Sequence, residues 1–286
     1  MKYNAYAKIN LGLDVLRKRE DGYHEVRMIM QNIDVCDILD FEKSEEPGII
    51  IETSKQELSD SKDNLIYKAA KLLMDEFDIK EGLKVKLTKN IPIAAGLAGG
   101  STDAAAAFKA VNDLWELGLS EEELKSRAVK IGADVPYCIM QGTALSEGIG
   151  EKLTPLSHCP ECFVLIAKPP VSVFTKYVYE HLKIDEVNHP DVDGIIAAIE
   201  KSDIKALANC LGNVLESVTA AEHPVIEDIK KIMRRAGALN ALMSGSGPTV
   251  FGLFDDEMKL EGAYRAVVDS KLASDVIKTQ IINKVY

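Results

Sequence analysis

PIAAGLAGGSTDAAAA, residues 92–107, is the stretch that decides the fold, because a glycine-rich turn in it runs directly into an alanine-rich segment. Gly96, Gly99 and Gly100 allow backbone angles and close approaches that a Cβ would block. Alanine is the strongest helix former, so the second half of the stretch is predicted to be helical. The preceding residues 83–87, LKVKL, alternate between apolar and polar and predict a strand. The predicted unit is therefore strand, glycine loop and helix.

The start of this helix is suited to an anion. Ser101 or Thr102 is expected to cap it, with the helix beginning near Asp103. A helix start presents N–H groups and the positive end of the macrodipole, which together favour a phosphate. A tight turn before an ordinary helix is the alternative interpretation. The loop matches neither the P-loop, which needs a Lys before its Ser/Thr, nor the dinucleotide fingerprint.

The composition is that of an ordinary globular chain that is large enough for two domains. It has 286 residues, of which 47% are hydrophobic and 28% charged. A net charge of −11 argues against nucleic-acid binding, although a small phosphorylated ligand remains compatible with it. The sequence shows neither a long apolar run nor the apolar region of a signal peptide, so no membrane association and a cytoplasmic location are predicted.

Five cysteines at wide spacing argue against a disulfide framework. Cys159 and Cys162 form a lone C-x-x-C without a second pair of zinc ligands, so incidental thiols are favoured and no role follows for either residue.

The periodicity predicts the following elements. In the first half there are strands at 5–13, 25–33, 37–41 and 48–52, helices at 64–77 and 121–131, a hairpin or loop at 143–153, and the strand–loop–helix unit whose helix runs to about 117. The best candidate linker is 155–160, which predicts domains at 1–156 and 157–286. In the second half there are strands at 163–167, 239–243, 249–254 and 275–282, and helices at 173–182, 192–200, 203–217, 223–236 and 256–271.

Phosphoryl transfer needs a cation near the developing charge and a base or orienting group for the attacking hydroxyl. Lys8 is a candidate cation because it lies on a largely apolar strand, where it shares a face with Asn10; an exposed lysine on an edge strand is the other interpretation. Asp134 follows a helix end at Gly132 and is a candidate base because it is the only acidic residue between Lys130 and Glu147, but it could equally bond backbone N–H groups there. The Pro at 136 predicts an extended exit from this point.

Two further segments are candidates for ligand contact. Tyr23 and His24 follow a turn and suit stacking on and hydrogen bonding to a planar ring, although a Tyr packed on the sheet edge is the simpler interpretation. The stretch SGSGP, residues 244–248, lies between two apolar strands. It is either a hairpin turn of small residues or a loop that lets the backbone approach a phosphate.

The combination of motifs resembles the GHMP kinases. The glycine loop is similar to their second motif, and SGSGP is similar to their C-terminal motif. The segments AYAKINL at 5–11, DGYH at 21–24, DNLI at 63–66 and GADVP at 132–136 narrow the resemblance to the branch that acts on a cytidine diphosphate-linked methylerythritol.

The resemblance implies a two-domain α+β GHMP kinase fold. Its N-terminal domain would be like domain 2 of ribosomal protein S5, its C-terminal domain ferredoxin-like, and its active site would lie in the cleft between them. The implied reaction moves the γ-phosphoryl group of ATP to the 2-hydroxyl of the methylerythritol moiety. Mg²⁺ is expected to arrive with ATP, and the protein ligands of the metal are unknown. The oligomeric state is unknown.

The resemblance also implies residue roles. Lys8 and Asp134 would be the catalytic pair, with Asp134 receiving or orienting the hydroxyl proton and Lys8 stabilising charge. The implied ATP-binding residues are Asn64, Pro92, Ile93, Ala94, Ala95, Gly96, Leu97, Ala98, Gly99, Gly100, Ser101 and Thr102. The implied substrate-binding residues are Asn10, Tyr23, His24, Thr175 and Tyr179. The second glycine loop comprises Ser244, Gly245, Ser246 and Gly247.

Two other functions remain open from the sequence. A GHMP kinase for another small alcohol, such as mevalonate or homoserine, would share the glycine loops but has no evident use for the DGYH segment at 21–24. A catalytically silent nucleotide-binding or regulatory protein would have no need to keep both Lys8 and Asp134.

Overall fold

Two long strands dominate the N-terminal half of the computed structural model, which describes residues 1–53 and 63–283. β1 spans Lys2–Lys18 and β2 spans His24–Ser44, and the turn predicted between them has Gly22 at a φ of 86°. The sequence predicted two strands, at 25–33 and 37–41, where the structure has β2 alone. β2 continues because its two ends pair with different neighbours, which are strand 143–148 at the first end and strand 82–88 at the other.

The chain folds into two compact units, each drawn from several stretches. The first unit comprises Met1–Ala7, Val35–Ile93 and Ala98–Met140. The second comprises Lys8–Asp34, Ala94–Leu97 and Gln141–Tyr286. The bounds of these units are not those of the predicted domains, 1–156 and 157–286, and that domain boundary stays a prediction.

The first unit packs helices against a sheet. Its strands β3 (Ile49–Thr53) and β4 (Gly82–Thr88) pair in parallel, and β4 pairs antiparallel with the end of β2. The helices are α1 (Leu65–Glu76), α2 (Gly99–Leu114), α3 (Glu121–Ala128) and α4 (Val135–Met140). α1 packs on α2, whose run of four alanines at 104–107 is buried and lets the two helices approach closely.

The second unit contains a four-stranded antiparallel sheet in the order β11-β7-β10-β9. Its strands are β7 (Phe163–Lys168), β9 (Asn240–Met243), β10 (Val250–Phe254) and β11 (Asp275–Gln280). Helices α9 (Val225–Arg235) and α10 (Glu257–Ser270) pack on this sheet. The hairpin β5 (Thr143–Gly148) and β6 (Lys152–Pro155) pairs with the first part of β2, so the hairpin alternative for 143–153 is confirmed.

The predicted helix at 203–217 is wrong, because the structure breaks it into three elements. These are α7 (Ile204–Cys210), the two-residue strand β8 (Gly212–Asn213) and α8 (Glu216–Glu222). β8 leaves the helical path because it pairs in parallel with Gly12 and Leu13 of β1. Long-range strand pairing therefore overrides the local helical periodicity. The remaining helices of this region are α5 (Thr175–His181) and α6 (Val192–Glu200).

Two expectations around α3 and α4 are also corrected. α3 has the predicted capping box, in which Ser120 and Glu123 bond each other's backbone N–H, but it ends at Ala128 rather than at 131. The extended exit predicted at Pro136 is wrong, because α4 begins at Val135. Pro136 is tolerated there because the first turn of a helix does not need its N–H.

A buried charge cluster joins three elements of the first unit. The Lys89 ammonium donates hydrogen bonds to Asp37 of β2 and, at 2.6 Å, to Asp103 of α2. Asp37 also accepts the backbone N–H groups of Asn90 and Ile91. Within the described residues, Oδ1 of Asp103 has no hydrogen-bond partner.

The cluster holds two carboxylates for one ammonium, so one carboxyl group takes up a proton. Burial, together with the negative charge of Asp37 and against the opposing charge of Lys89, raises the pKa of Asp103 to about 8. Asp37 is the carboxyl group whose negative charge is better stabilised, because three N–H donors bond to it. Asp103 is therefore neutral at pH 7.

This raised pKa predicts a pH-dependent stability. Between the unfolded pKa of about 4 and the folded pKa, the folded state holds a proton on Asp103 that the unfolded state has lost. The free energy of unfolding should therefore fall as the pH rises from 5 to 8, by at most about 1.4 kcal/mol per pH unit. Urea denaturation of wild type and Asp103→Asn at several pH values measures this, because Asn mimics the neutral acid. A stability difference between the two proteins that stays constant with pH would contradict the assignment.

Candidate active site

The glycine loop leads into α2 earlier than the sequence predicted. α2 begins at Gly99, after Ala98, which has a left-handed φ of 57° and makes no side-chain cap. Ser101 and Thr102 are therefore not caps but members of the first helical turn, where the Thr102 N–H bonds the Ala98 carbonyl at 2.9 Å. The first N–H groups of a helix have no partner inside it. The helix start thus presents the N–H groups of Gly99, Gly100 and Ser101.

The backbone of the loop reverses direction through three residues with positive φ. These are Ala94 at 52°, Gly96 at 71° and Ala98 at 57°. A left-handed conformation costs a residue with a Cβ about 1 kcal/mol. The two alanines show that the loop is held in a specific shape by its surroundings, since nothing in their own preferences favours that conformation.

In the second unit, the two glycine loops approach each other backbone to backbone. The Ser244 hydroxyl donates to the carbonyl of Gly96 at 3.0 Å. A Cβ at Gly96 would lie only 2.3 Å from the Ser244 carbonyl oxygen, and one at Gly245 would lie 3.2 Å from the Gly96 carbonyl oxygen. Gly96 is thus required both by its positive φ and by the space around it.

The loop 244–248 is the connection of the β9–β10 hairpin, and all of its residues are buried. The Asn213 side-chain amide donates to the carbonyls of Met243 and Gly245, each at 2.8 Å. Thr219 donates to the carbonyl of Ser246 at 3.1 Å. Sequence reasoning missed Asn213, because it lies in the stretch 203–217 that was predicted to be one continuous helix, and it missed Thr219, because that residue lies between two predicted helices.

Lys8 and Asn10 lie on β1 next to these loops within the second unit. Both side chains are buried, and the Lys8 ammonium donates to Asn10 Oδ1 at 2.7 Å. The Lys8 N–H bonds the Leu97 carbonyl at 3.1 Å, and Asn10 Oδ1 lies 3.7 Å from the position of a Cβ at Gly245. The interpretation of Lys8 as an exposed lysine is therefore wrong. It is a buried cation between the two glycine loops.

A group of rings and hydroxyls lies elsewhere in the second unit. The rings of His24 and Tyr179 are 5.3 Å apart, while Tyr23 is 59% exposed, which leaves its ring accessible for stacking. The interpretation of Tyr23 as packed on the sheet edge is thus not supported. Burial, with a smaller effect of the Lys18 charge, lowers the pKa of His24, so its ring is neutral at pH 7. Thr175 and Ser246 share a hydrogen bond of 2.8 Å, which ties α5 to the second glycine loop.

Asn64 and Asp134 belong to the first unit, and each precedes a helix. Asn64 caps α1 by accepting the Ile66 N–H at 2.8 Å. Asp134 lies just before α4, where its carbonyl accepts the Cys138 N–H at 3.1 Å. The sequence placed Asp134 after a helix end, and the structure adds that it also stands at a helix start.

Three other expectations concern metals, thiols and membranes. In residues 1–53 and 63–283, no group of three or more His, Cys, Asp or Glu side chains is arranged to hold a metal ion. Cys159 and Cys162 are buried thiols whose pKa burial raises, which disfavours the thiolate that metals require. None of the described helices is both long and apolar enough to cross a membrane.

Comparison with family profiles matches both halves of the chain. Residues 64–142 match the GHMP kinases N terminal domain, and residues 195–273 match the GHMP kinases C terminal domain. The first match includes the glycine loop and Asp134, and the second includes SGSGP.

Curated relatives with the name 4-diphosphocytidyl-2-C-methyl-D-erythritol kinase are similar over almost the whole chain. The one from Lachnoclostridium phytofermentans is 54% identical over 261 residues, which cover 91% of this chain and 90% of the relative. The one from Clostridium perfringens strain 13 is 48% identical over 284 residues, which cover 99% of both chains.

Solved structures of GHMP kinases are similar to this chain in fold. A crystal structure of 4-(cytidine 5'-diphospho)-2C-methyl-D-erythritol kinase has a TM-score of 0.85 at 29% identity and covers 99% of this chain and 100% of its own. Homoserine kinase from Cytophaga hutchinsonii, at 20% identity and a TM-score of 0.74, shares the fold, covering 98% of this chain and 94% of its own. The chain belongs to the 4-diphosphocytidyl-2-C-methyl-D-erythritol kinase family of the GHMP kinases.

Proposed function

We propose that this protein transfers the γ-phosphoryl group of ATP to the 2-hydroxyl of 4-diphosphocytidyl-2-C-methyl-D-erythritol. The reaction gives the 2-phosphate and ADP in the non-mevalonate route to isoprenoid precursors. Identity of about one half to kinases of that name, over more than nine-tenths of the chain, supports the assignment. The observation in the fold that carries it is the buried Lys8, which lies between two glycine loops of the GHMP type.

The glycine loop and the start of α2 bind the triphosphate in this proposal. Main-chain N–H groups of Gly99, Gly100 and Ser101 are donors for phosphate oxygens, and the helix dipole favours negative charge there. The left-handed residues of the loop keep its backbone away from the helical path and leave these donors exposed at the turn. Asn64, at the start of α1, is assigned to the neighbourhood of the adenine.

The phosphoryl transfer itself is assigned to Asp134 and Lys8. Asp134 receives the proton of the 2-hydroxyl as its oxygen attacks the γ-phosphorus, and the bond from that phosphorus to the β-phosphate oxygen breaks to release ADP. Lys8 stabilises the charge that develops on the transferred group, and Asn10 holds the Lys8 ammonium in place. The burial of Lys8 supports this role, because a charge in a site shielded from water acts more strongly than one in solvent.

The cytosine is assigned to the ring cluster of the second unit. Tyr23 stacks on the base, and the neutral His24 offers one donor and one acceptor for its polar edge. Tyr179, beside His24, contacts the same ring. Thr175, bonded to Ser246, is a further substrate contact.

Mg²⁺ enters with ATP in this proposal, and its bound form would neutralise phosphate charge. No protein ligand is assigned to it, since the described residues hold no cluster suited to a divalent cation.

The substrate assignment is tested by competition between acceptors. Purified protein with ATP should phosphorylate the cytidine substrate at least about a hundredfold more efficiently than mevalonate or homoserine, because a missing base leaves the ring site unfilled. Phosphate transfer is followed by ADP release and by mass spectrometry of the product. Preference for mevalonate or homoserine would assign the protein to another branch, and nucleotide binding without transfer to any of the three would favour the silent alternative.

Replacing the proposed base tests the mechanism. Asp134→Asn should lower kcat by about two to four orders of magnitude while ATP still binds, because the amide cannot accept the hydroxyl proton. The measurement is single-turnover phosphoryl transfer together with calorimetric binding of an ATP analogue. Asp75→Asn, which removes an exposed carboxylate on α1 of the same unit, is the control and should be near wild type. Wild-type turnover by the Asp134 variant would remove this residue from the mechanism.

Replacing the proposed stacking residue tests the cytosine site. Tyr23→Ala should raise the KM for the cytidine substrate by about 5- to 150-fold, the equivalent of 1–3 kcal/mol for one lost stack. The KM for ATP should stay close to wild type. Tyr23→Phe keeps the ring and should retain the KM, which separates stacking from hydrogen bonding by the hydroxyl. An unchanged KM for the cytidine substrate in the Ala variant would refute the role.

A further inference from the structure

Lys89, the central residue of the buried charge cluster, follows β4 and stands three positions before the glycine loop. Its side chain is 4% exposed, and the side chains of Asp37 and Asp103 are 0% and 5% exposed. The ammonium is bonded to both carboxyl groups. A lysine enclosed in this way is not available to contact a nucleotide, so any effect on ATP must act through the backbone that it holds.

The entry to the loop is tied to β2 through Asp37. Its Oδ1 accepts the N–H groups of Asn90 at 2.6 Å and Ile91 at 2.8 Å, the two residues that precede Pro92. The Asn90 side chain adds a bond of 2.8 Å to the Cys36 carbonyl. The other oxygen of Asp37 accepts the Lys89 ammonium. The start of the loop and Lys89 therefore share one carboxylate.

The exit from the loop is tied to the same ammonium. Asp103 lies in the second turn of α2, and its Oδ2 accepts Lys89 at 2.6 Å. The ammonium also lies 3.0 Å from the position that a Cβ at Gly99 would occupy, and Ile91 Cγ2 lies 3.1 Å from it. The first residue of α2 is thus packed against Lys89 and the entry segment.

We propose that Lys89 is a positioning residue for nucleotide binding, which joins the two ends of the glycine loop through Asp37 and Asp103. The spacing of these ends sets the direction of the N–H groups at Gly99, Gly100 and Ser101. The proposal rests on the proposed function, which seats the ATP phosphates at this loop. It adds a residue that touches neither ATP nor the second substrate.

The cluster could instead contribute only to stability, and kinetics separates the two roles. If Lys89 positions the glycine loop, replacing it weakens ATP binding, which raises the KM for ATP and leaves the KM for the cytidine substrate unchanged. A role in stability alone lowers the amount of folded protein and leaves both KM values of the folded fraction unchanged. Displacements of about 1 Å in a binding group have effects of up to a hundredfold, so a change of tenfold or more is expected.

The first experiment compares Lys89→Met with Lys84→Met. Lys84 is a matched control on β4, the strand that Lys89 follows, because its ammonium also pairs with two carboxylates, those of Glu42 and Glu52, but at the surface. We expect Lys89→Met to raise the KM for ATP and the dissociation constant of an ATP analogue by roughly tenfold or more, with less than about threefold change in the KM for the cytidine substrate. Lys84→Met should change neither constant.

Lys89→Met leaves the ionised Asp37 buried without its cation, which is strongly destabilising and could prevent folding. The double variant Lys89→Met/Asp37→Asn removes both charges, and the Asn side-chain oxygen still accepts the N–H groups of Asn90 and Ile91. This variant should fold, as judged by circular dichroism and thermal denaturation, and should still bind ATP weakly because the link to α2 is missing. A folded double variant with the wild-type constants for ATP overturns the proposal.

Asp103 supplies a rescue test. Asp103→Leu removes the acceptor for Lys89 and should raise the KM for ATP, whereas Asp103→Asn keeps an acceptor oxygen and should restore it. Equal KM values for ATP in the two variants would contradict the proposal.

Failure of the proposed function is recognised separately, since wild-type protein would then bind the ATP analogue without phosphorylating the cytidine substrate. The calorimetric comparison of wild type with the Lys89 variants tests the positioning role in that case too, and wild-type protein that binds no nucleotide would overturn both.

Discussion

The close approach of Gly96 to Ser244 is the constraint on which the arrangement of the second unit depends. Their backbones are so near that a Cβ at Gly96 would lie 2.3 Å from the Ser244 carbonyl oxygen. This approach brings the two glycine loops together although they are 148 positions apart in the chain. Lys8 is held beside them because its N–H bonds Leu97, the residue after Gly96. Because Gly96 has no side chain, the two glycine loops can lie against each other and beside the strand that carries Lys8.

Two buried lysines in this fold have different side-chain partners. The Lys8 ammonium donates a hydrogen bond to a neutral amide oxygen, that of Asn10. Lys89 is bonded to two carboxyl groups, and its positive charge is neutralised within the cluster. Burial alone therefore does not distinguish the roles that we propose for the two lysines, and the partners of each ammonium are needed to separate them.

Much of the candidate site is proposed from short contiguous motifs in the sequence. The glycine loop, Lys8 with Asn10, and the pair Tyr23 and His24 each lie within a few residues of one another. The residues that hold these motifs in place were not predicted. Asn213 supports the second glycine loop from a two-residue strand between helices, and Asp37 supports the first from the middle of β2. No local pattern marks such residues, because their partners are distant in the sequence.

The errors in secondary structure have the same physical origin. Residues 203–217 have helical periodicity, but pairing of Gly212 and Asn213 with β1 interrupts the helix. β2 continues through a region that looked like two strands, because each of its ends has a partner. Ser101 and Thr102 are good caps in isolation, yet α2 begins before them, because the left-handed Ala98 turns the chain earlier.

The amino-acid sequence by itself determined the family, the two glycine-rich segments and the candidate site residues, since these depend on contiguous residues and local conformational preferences. Only the tertiary structure decided that Lys8 is buried between two loops, that Asp103 is neutral at pH 7, and that Lys89 is enclosed by carboxyl groups. Exposure, ionisation and the choice of hydrogen-bond partner depend on what the fold places around a side chain. The residue type limits the chemistry that a side chain can take part in, and the groups packed around it determine its exposure, its ionisation and its hydrogen bonds.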